Sequence, residues 1–366
     1  MNRLKNIWRA TWRTAICVVL LAWIFHSIFL NEGKYAAEQA GLKWQTMSRT
    51  EQWHRAWTVG PHELWHTLSL IHPAALAASL LCVGVVVMLN VIRWRMVLKV
   101  QGLDLSLARA TGISFVAQFF NSFLLGSSGG DLIKAYYAAR ETHHKKTEAV
   151  TTVFVDRLIG LWSMLLYAAL MMTINLSLIL KYKRYWGLCL IILGMFAALT
   201  VVLGIAFWGG VSKRFPRARH YLRRLPKGEM LERSLDSCRE FGKEPKLLVK
   251  TVVLSLVLNT FCVLQVLFLA KSLGIEVTQA LFVVVPIVFC ISALPITPSG
   301  LGVRENLFVL LLVVLNVPQT ASLSLSLLAF AGGLFWSMVG GVVYLGLKEK
   351  EHLGEVSHPQ PVVENV

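Results

Sequence analysis

Charge is what this sequence has least of. Only 15% of its 366 residues are charged while 55% are hydrophobic, and the imbalance runs along the whole length. That argues against a string of soluble domains and for a polytopic membrane protein. Six cysteines are scattered at Cys17, Cys82, Cys189, Cys238, Cys262 and Cys290, with no C-x-x-C spacing and no pairing in a polar outer loop. This argues against a disulfide framework or a cysteine zinc site, and the thiols read as small apolar packing groups. The N-terminus, MNRLKNIWRATWR before TAICVVLLAWIFHSIFL, has no small-residue cleavage site after its apolar run. It is expected to remain as a first span, anchored at the cytoplasmic interface by Trp8, Trp12 and the basic residues around them.

Apolar runs lie near 14–30, 74–92, 151–174, 187–208, 250–270 and 321–347. Three more, at 110–125, 280–294 and 303–316, are short or interrupted. Backbone amides in lipid must be satisfied within their own segment, so the expected fold is all-α. We expect about seven to nine membrane segments, including one or two re-entrant or broken helices and possible inverted repeats. The membrane body is expected to cover 1–348, with an outer loop at 31–73, a basic cytoplasmic loop at 211–250 and a disordered tail at 349–366.

The loops set the orientation. Residues 211–250 carry twelve Lys/Arg against five Asp/Glu, which assigns them to the cytoplasm. Arg3, Lys5, Arg9 and Arg13 assign the N-terminus there too, as do Arg93, Arg95, Lys99 and Arg109 for the loop after the second run. The 31–73 segment balances four basic with four acidic residues and faces outward. Parity then favours a 110–125 segment that enters from the cytoplasm and returns, leaving Lys181, Lys183 and Arg184 outside as the misfit. Within the basic loop, Leu231, Leu235 and Cys238 fall at i, i+4, i+7, the pattern of a surface-lying helix.

Two breaks carry the chemistry. NSFLLGSSGGDLIKAYYAAR spans 121–140, and ALPITPSGLGVRENLF spans 293–308. Each joins an apolar run to a Gly-rich break and then to a charged helix start. Pro295 and Pro298 stop a helix, Gly300 and Gly302 permit a tight backbone, and Val303 can begin the next helix. Such a break survives at membrane depth only against protein or a polar cavity. Its helix N-terminus favours an anion, whereas Arg304 in the first turn opposes the helix dipole. A lipid phosphate would relieve both. Glu305 is not the expected partner of Arg304, since adjacent helical residues do not face each other. We therefore expect some of Asp131, Lys134, Asp156 and Arg157 to cross-pair with Arg304 and Glu305 in one interior site. Gly129, Gly130, Ser299, Gly300 and Gly302 would shape that site. The alternatives are a structural ion-pair knot without ligand and, for Arg157, a snorkel to the surface. GSSGGDLIK lacks the G-K-[ST] ending of a nucleotide phosphate loop.

One further motif tempts a different reading. His62, Glu63 and His66 spell H-E-x-x-H, and His72 follows where a third zinc ligand could sit. Yet Ser69 replaces the glycine of the longer zinc-protease pattern, Pro73 follows at once, and Trp53, Trp57 and Trp65 accompany the histidines. An amphipathic interfacial segment is the better reading, and neither a metal nor any other cofactor is expected.

The motifs N-x-x-L-x-x-x-x-G-G-D-x-x-K-A from Asn121, V-D-R-L-I-G-L from Val155 and L-P-I-T-P-S-G-L-G-V-R-E from Leu294 resemble the lysylphosphatidylglycerol synthase transmembrane region, or flippase-like, family. The similarity covers about residues 75–345. It implies a bacterial or archaeal multi-pass protein of the cell membrane that moves, or helps to move, lipids or lipid-linked head groups between leaflets. Arg304 and Glu305 match the family motif directly. Asp131 and Lys134 stand where many members carry an acidic residue and Arg, and Asp156-Arg157 stands for Glu-Arg. Lysine keeps the charge but not the bidentate grip of arginine. The synthases carry a large soluble catalytic domain after the membrane part. Here about twenty residues follow the last span, so a non-enzymatic role is expected. Three functions follow: a flippase-like transporter binding anionic or phosphate-bearing lipids, an accessory protein of envelope glycolipid assembly docking enzymes through 211–250, and, least favoured, a zinc protease. No nucleic-acid partner is expected.

Overall fold

The structure is a computed structural model that describes residues 26, 29–30, 33–70, 72–123, 129–141, 146–208, 238–294, 300 and 302–356. Its helices, in order, are α1 (Arg49–Leu70), α2 (Pro73–Val100), α3 (Leu107–Phe123), α4 (Gly129–Glu141), α5 (Lys146–Ile174), α6 (Leu176–Lys181), α7 (Arg184–Trp208), α8 (Pro245–Ser272), α9 (Thr278–Ser292), α10 (Val303–Leu312) and α11 (Gln319–Val356). No strand occurs among the described residues. Five helices are long and apolar enough to cross a membrane: α2, α5, α7, α8 and the Ala321–Gly346 part of α11. They correspond to five of the six long runs in the sequence. The first run, near 14–30, falls almost wholly outside the described residues.

The short segments pair into hairpins. At 1.5 Å per residue, α3 and α4 reach about 25 and 20 Å, too little for a hydrocarbon core of about 30 Å. They pack antiparallel. Ala110 and Ile113 meet Ala138 in one buried cluster at the mouth, while Asn121 Oδ1 accepts the Gly130 N–H at 2.8 Å near the tip. In the second hairpin α10 is about 15 Å long. Gly300 (φ +70°) and Gly302 (φ +82°) occupy the left-handed region that glycine tolerates, and Gly300 sits against the Ser292 carbonyl. Residues 295–299, including Ser299, lie outside the described residues.

The packing partners repeat in pairs. With α2–α5 as one set and α8–α11 as the other, α2 packs along α8 more extensively than any other helices pack. The contact of α3 with α11 is matched by that of α9 with α5, and α4 with α5 by α10 with α11. The contacts of α2 with α3, α5 and α11 likewise have counterparts made by α8 with α9, α11 and α5. Among the described residues two candidate spans, α5 and α7, lie between α2 and α8, which fits sets that run in opposite senses. This is the arrangement of inverted repeats around a shared centre.

Packing explains which helices hide their pattern. α9 is buried on nearly every face: Leu281, Val284, Val285, Ile287 and Val288 are fully enclosed among α5, α8 and α10. It has no polar stripe because it has no solvent side. α7 is the opposite case, with Leu190, Ile191, Val201, Val202 and Ile205 exposed along a lipid-facing surface. The five described cysteines are free thiols.

Three boundaries differ from the sequence reading. The 31–73 segment is largely helical, with a helical turn at 33–39 and all of α1, because Ala56 and Gly60 nest against Gly33 and Phe29. The tail expected to be disordered from 349 continues α11 to Val356, since the Lys/Glu run there is built of good helix formers. Of the basic loop only 238–250 is described, and Leu231 and Leu235 lie outside it. Cys238 and Phe241 pack on Leu203 and Phe207 at the end of α7, and Pro245 opens α8 at its first turn.

The first hairpin yields a test. A Cβ on Gly130 would stand 2.0 Å from the Ala117 carbonyl oxygen. Gly130→Ala is expected to cost about 1–3 kcal/mol through overpacking. That loss is read as a lower thermal midpoint of the detergent-solubilised protein. Gly333→Ala in α11, where a Cβ meets nothing within 4 Å, should hold the midpoint or raise it.

Candidate functional site

The site starts from an arginine inside a membrane helix. Arg93 lies on α2 and is only 7% exposed. Its Nε donates to Asp156 Oδ1 at 2.9 Å, Nη1 to Ser255 Oγ at 3.2 Å and Nη2 to Asn90 Oδ1 at 2.9 Å. Gly160, one turn beyond Asp156 on α5, leaves room for the guanidinium, since a Cβ there would sit 3.0 Å from Nη2. The second oxygen of Asp156 accepts from Lys134 Nζ at 3.3 Å, and that ammonium also lies 4.3 Å from the centre of the Trp94 ring. One buried carboxylate therefore bridges two cations, one from α2 and one from α4. Beside it, Arg157 of α5 pairs with Asp131 in the first turn of α4, where the helix dipole favours a carboxylate.

These five charged groups line a cavity of about 320 Å³ bordered by α2, α3, α4 and α5. Asn90, Ser114, Gln118 and Asn121 add neutral polar groups, and Ala293, at the start of the second break, closes one side. The cavity thus lies where the two hairpins approach each other. Its lining holds three cations and two carboxylates, leaving one positive charge in excess.

Asp131, Lys134, Asp156 and Arg157 come together as expected, and Arg157 is held by Asp131 instead of reaching for the surface. Gly129 begins α4, and Gly130 allows its close approach to α3. Arg304 and Glu305 form a separate group. Arg304 Nη2 donates to Glu305 Oε1 at 2.6 Å and Nε to Ser326 Oγ at 3.2 Å, while its guanidinium lies 4.7 Å from the Phe330 ring centre. Glu305 Oε2 accepts the Gly302 N–H at 2.6 Å. This corrects two expectations: the adjacent residues do pair, and among the described residues neither pairs with the first group. The cause is the helix start. Glu305 folds back to cap the free amide of Gly302, bringing its carboxylate to the mouth of α10, where the Arg304 guanidinium also turns.

Arg93 was assigned to a cytoplasmic loop by its charge, and this too is corrected. Hydropathy falls at the first basic residue, but Trp94, Val97 and Leu98 carry the buried face of α2 past it. That resumed periodicity, with Asn90 one turn before, is the signal in the sequence that Arg93 is interior. Arg95 behaves as expected of an end-of-helix cation: it is more exposed, lies 3.7 Å from Asp104 and donates to the Leu105 carbonyl. His62 and His66 are exposed on α1, and no group of three or more potential metal ligands occurs among the described residues.

A bundle of apolar crossing helices with two inserted hairpins and an interior charged cavity defines a polytopic helical membrane protein. More narrowly, the chain belongs to the family described as the lysylphosphatidylglycerol synthase TM region, whose model matches residues 53–341. It is similar to archaeal proteins named UPF0104 membrane proteins. The relative from Pyrococcus horikoshii is 23% identical, covering 74% of this chain and 85% of its own. That from Methanocaldococcus jannaschii is 24% identical over 64% and 73%. A third, from Methanothermobacter thermautotrophicus, is 21% identical over 81% and 92%.

The bridging carboxylate is testable directly. Asp156→Asn leaves two buried cations without their counter-charge and is expected to cost about 3–5 kcal/mol. Asp131→Asn, whose side chain is 29% exposed, should cost less than about 1 kcal/mol. Thermal midpoints of the two purified variants in one detergent check the order.

Proposed function

We propose that this protein moves, or helps to move, a phospholipid or lipid-linked head group between leaflets, with the cavity at Arg93, Lys134 and Arg157 receiving the phosphate. The observation that carries this reading is a cavity with surplus positive charge at the meeting point of two helical hairpins. Charges inside a membrane protein are costly unless paired, and they commonly mark a substrate path. Here the pairing is nearly complete, yet polar space remains beside it. A phosphate entering the cavity would share Lys134 and Arg157 with the carboxylates that hold them in its absence, while the acyl chains stay in the bilayer.

The inverted sets supply a means of exposing such a site to either face by rocking one hairpin against the other. The reading needs no bond-making step, so we propose a non-enzymatic role. By the excess of Lys and Arg in 211–250 and the N-terminal residues, both termini face the cytoplasm and the first hairpin enters from that side.

The test is movement of tail-labelled anionic phospholipid in vesicles containing the purified chain. Lys134→Gln and Arg157→Gln are each expected to slow it at least about tenfold, the equivalent of one charge-assisted hydrogen bond. Unchanged rates in both variants would exclude this cavity. If binding proteins are captured through 211–250 while vesicles show no lipid movement, the accessory role is the correct one.

A further inference from the structure

We infer that the protein carries a second lipid site, away from the charged cavity. It is a slot between α5, α7 and α8 that seats one acyl chain of an anionic phospholipid, with the phosphate against Lys246 and Lys250. This lipid is a resident of the surface and not a cargo, so the inference stands apart from the transport reading.

The first support is shape. Ile159 and Trp162 on α5, Gly204 and Phe207 on α7, and Val249 and Val253 on α8 line a recess of about 350 Å³. Ile159, Leu203 and Phe207 belong to the buried cluster at its floor, while Val249 and Val253 are exposed along its rim. Gly204 makes the recess, since a Cβ there would meet nothing within 4 Å. From Phe207 to Thr200 the slot follows α7 for about 10 Å, so its volume leaves no room for a helix about 10–12 Å across. A single hydrocarbon chain is narrow enough.

The second support is polarity. Trp162 and Thr200 alone bring polar side-chain atoms to the lining, and both donors are spent within the protein. The Trp162 indole donates to Thr200 Oγ1 at 2.8 Å, and that hydroxyl donates to the Phe196 carbonyl at 2.7 Å. An unfilled recess would forfeit the dispersion contacts of its walls. Beside it Val201, Val202 and Ile205 are exposed on the lipid-facing side of α7, so bilayer hydrocarbon is what reaches the opening.

The third support is charge at one end. On α8, Lys246 stands three residues before Val249 and Lys250 three before Val253, each pair on neighbouring turns of one face. Both lysines are exposed, and among the described residues neither has an ion-pair partner. Lys243, by contrast, is held by Glu240 at 2.6 Å. The basic 211–250 segment ends here, and basic segments beside a membrane helix attract anionic head groups. A lipid held by Lys246 and Lys250 would run its chain past Val249 and Val253 into the slot.

Slot and cavity occupy opposite faces of α5. Asp156, Gly160 and Met164 border the cavity, whereas Ile159 and Trp162 border the slot. The resident lipid thus braces the back of the helix that carries Asp156 and Arg157.

The experiment is native mass spectrometry of the purified chain in mild detergent, titrated with dioleoylphosphatidylserine or dioleoylphosphatidylcholine. One phosphatidylserine is expected to be retained at least about tenfold more tightly than phosphatidylcholine. Changing Lys246→Gln and Lys250→Gln together should weaken that retention about twentyfold, roughly fivefold per charge. Gly204→Leu, which fills the slot, should abolish it, while Lys134→Gln in the cavity should leave it unchanged. Equal retention of the two lipids overturns the inference, and so does retention unmoved by the lysine pair and by Gly204→Leu. Retention that falls only with Lys134→Gln places the lipid in the cavity and overturns it as well. A dimer that Gly204→Leu dissociates, with no lipid retained, assigns the slot to a second copy instead. Should Gly204→Leu fail to fold, the exposed lysine pair decides the matter alone.

Discussion

The bridge made by Asp156 is the interaction on which the interior depends. It sits where α2, α4 and α5 converge, and through Arg93 it reaches Ser255 on α8. Each of its cations would be prohibitively placed alone, at depth and away from water. Held together, they tie the first hairpin to the two helices that flank it and to the partner of the opposite set.

The two halves solve one problem differently. Asp131 and Glu305 both stand in the first turn of a hairpin's second helix, where free amides and the dipole welcome a carboxylate. In the first half that carboxylate faces an arginine on the following span and borders open space. In the second it closes on its own neighbour, Arg304, and on Ser326 of the following span, while the Arg304 guanidinium lies over Phe330, with both charges buried. Related frames thus hold a pair that borders a cavity and a pair that is buried in the same molecule.

Much of this was legible in the residues. Long apolar runs located the five described spans, and the short 110–125 run falls in the first arm of the α3–α4 hairpin. The Gly-rich breaks pointed to the hairpin tips and to Asp131, Lys134, Asp156 and Arg157. What escaped was decided by partners. Arg93 looked like a loop residue because hydropathy weighs a charge without knowing that a carboxylate awaits it 63 positions later. Arg304 and Glu305 looked divergent because ideal helix geometry does not hold in a capped first turn. The neutral side chains of α3 carried no signal at all, being ordinary polar residues until a cavity set them side by side.

The burial of α9 bears on how the protein is made. A helix enclosed on all faces in the finished bundle has its walls supplied by α5, α8 and α10, and α10 in turn leans on α11. At fifteen residues, with Pro286 inside it and a ten-residue half-helix after it, this hairpin is too short to hold a transmembrane position unaided. α11 is the last of these helices to leave the ribosome. Until it arrives, the second hairpin has a membrane around it but no complete socket, so the half of the protein that ends up most tightly closed is the half that must be assembled last.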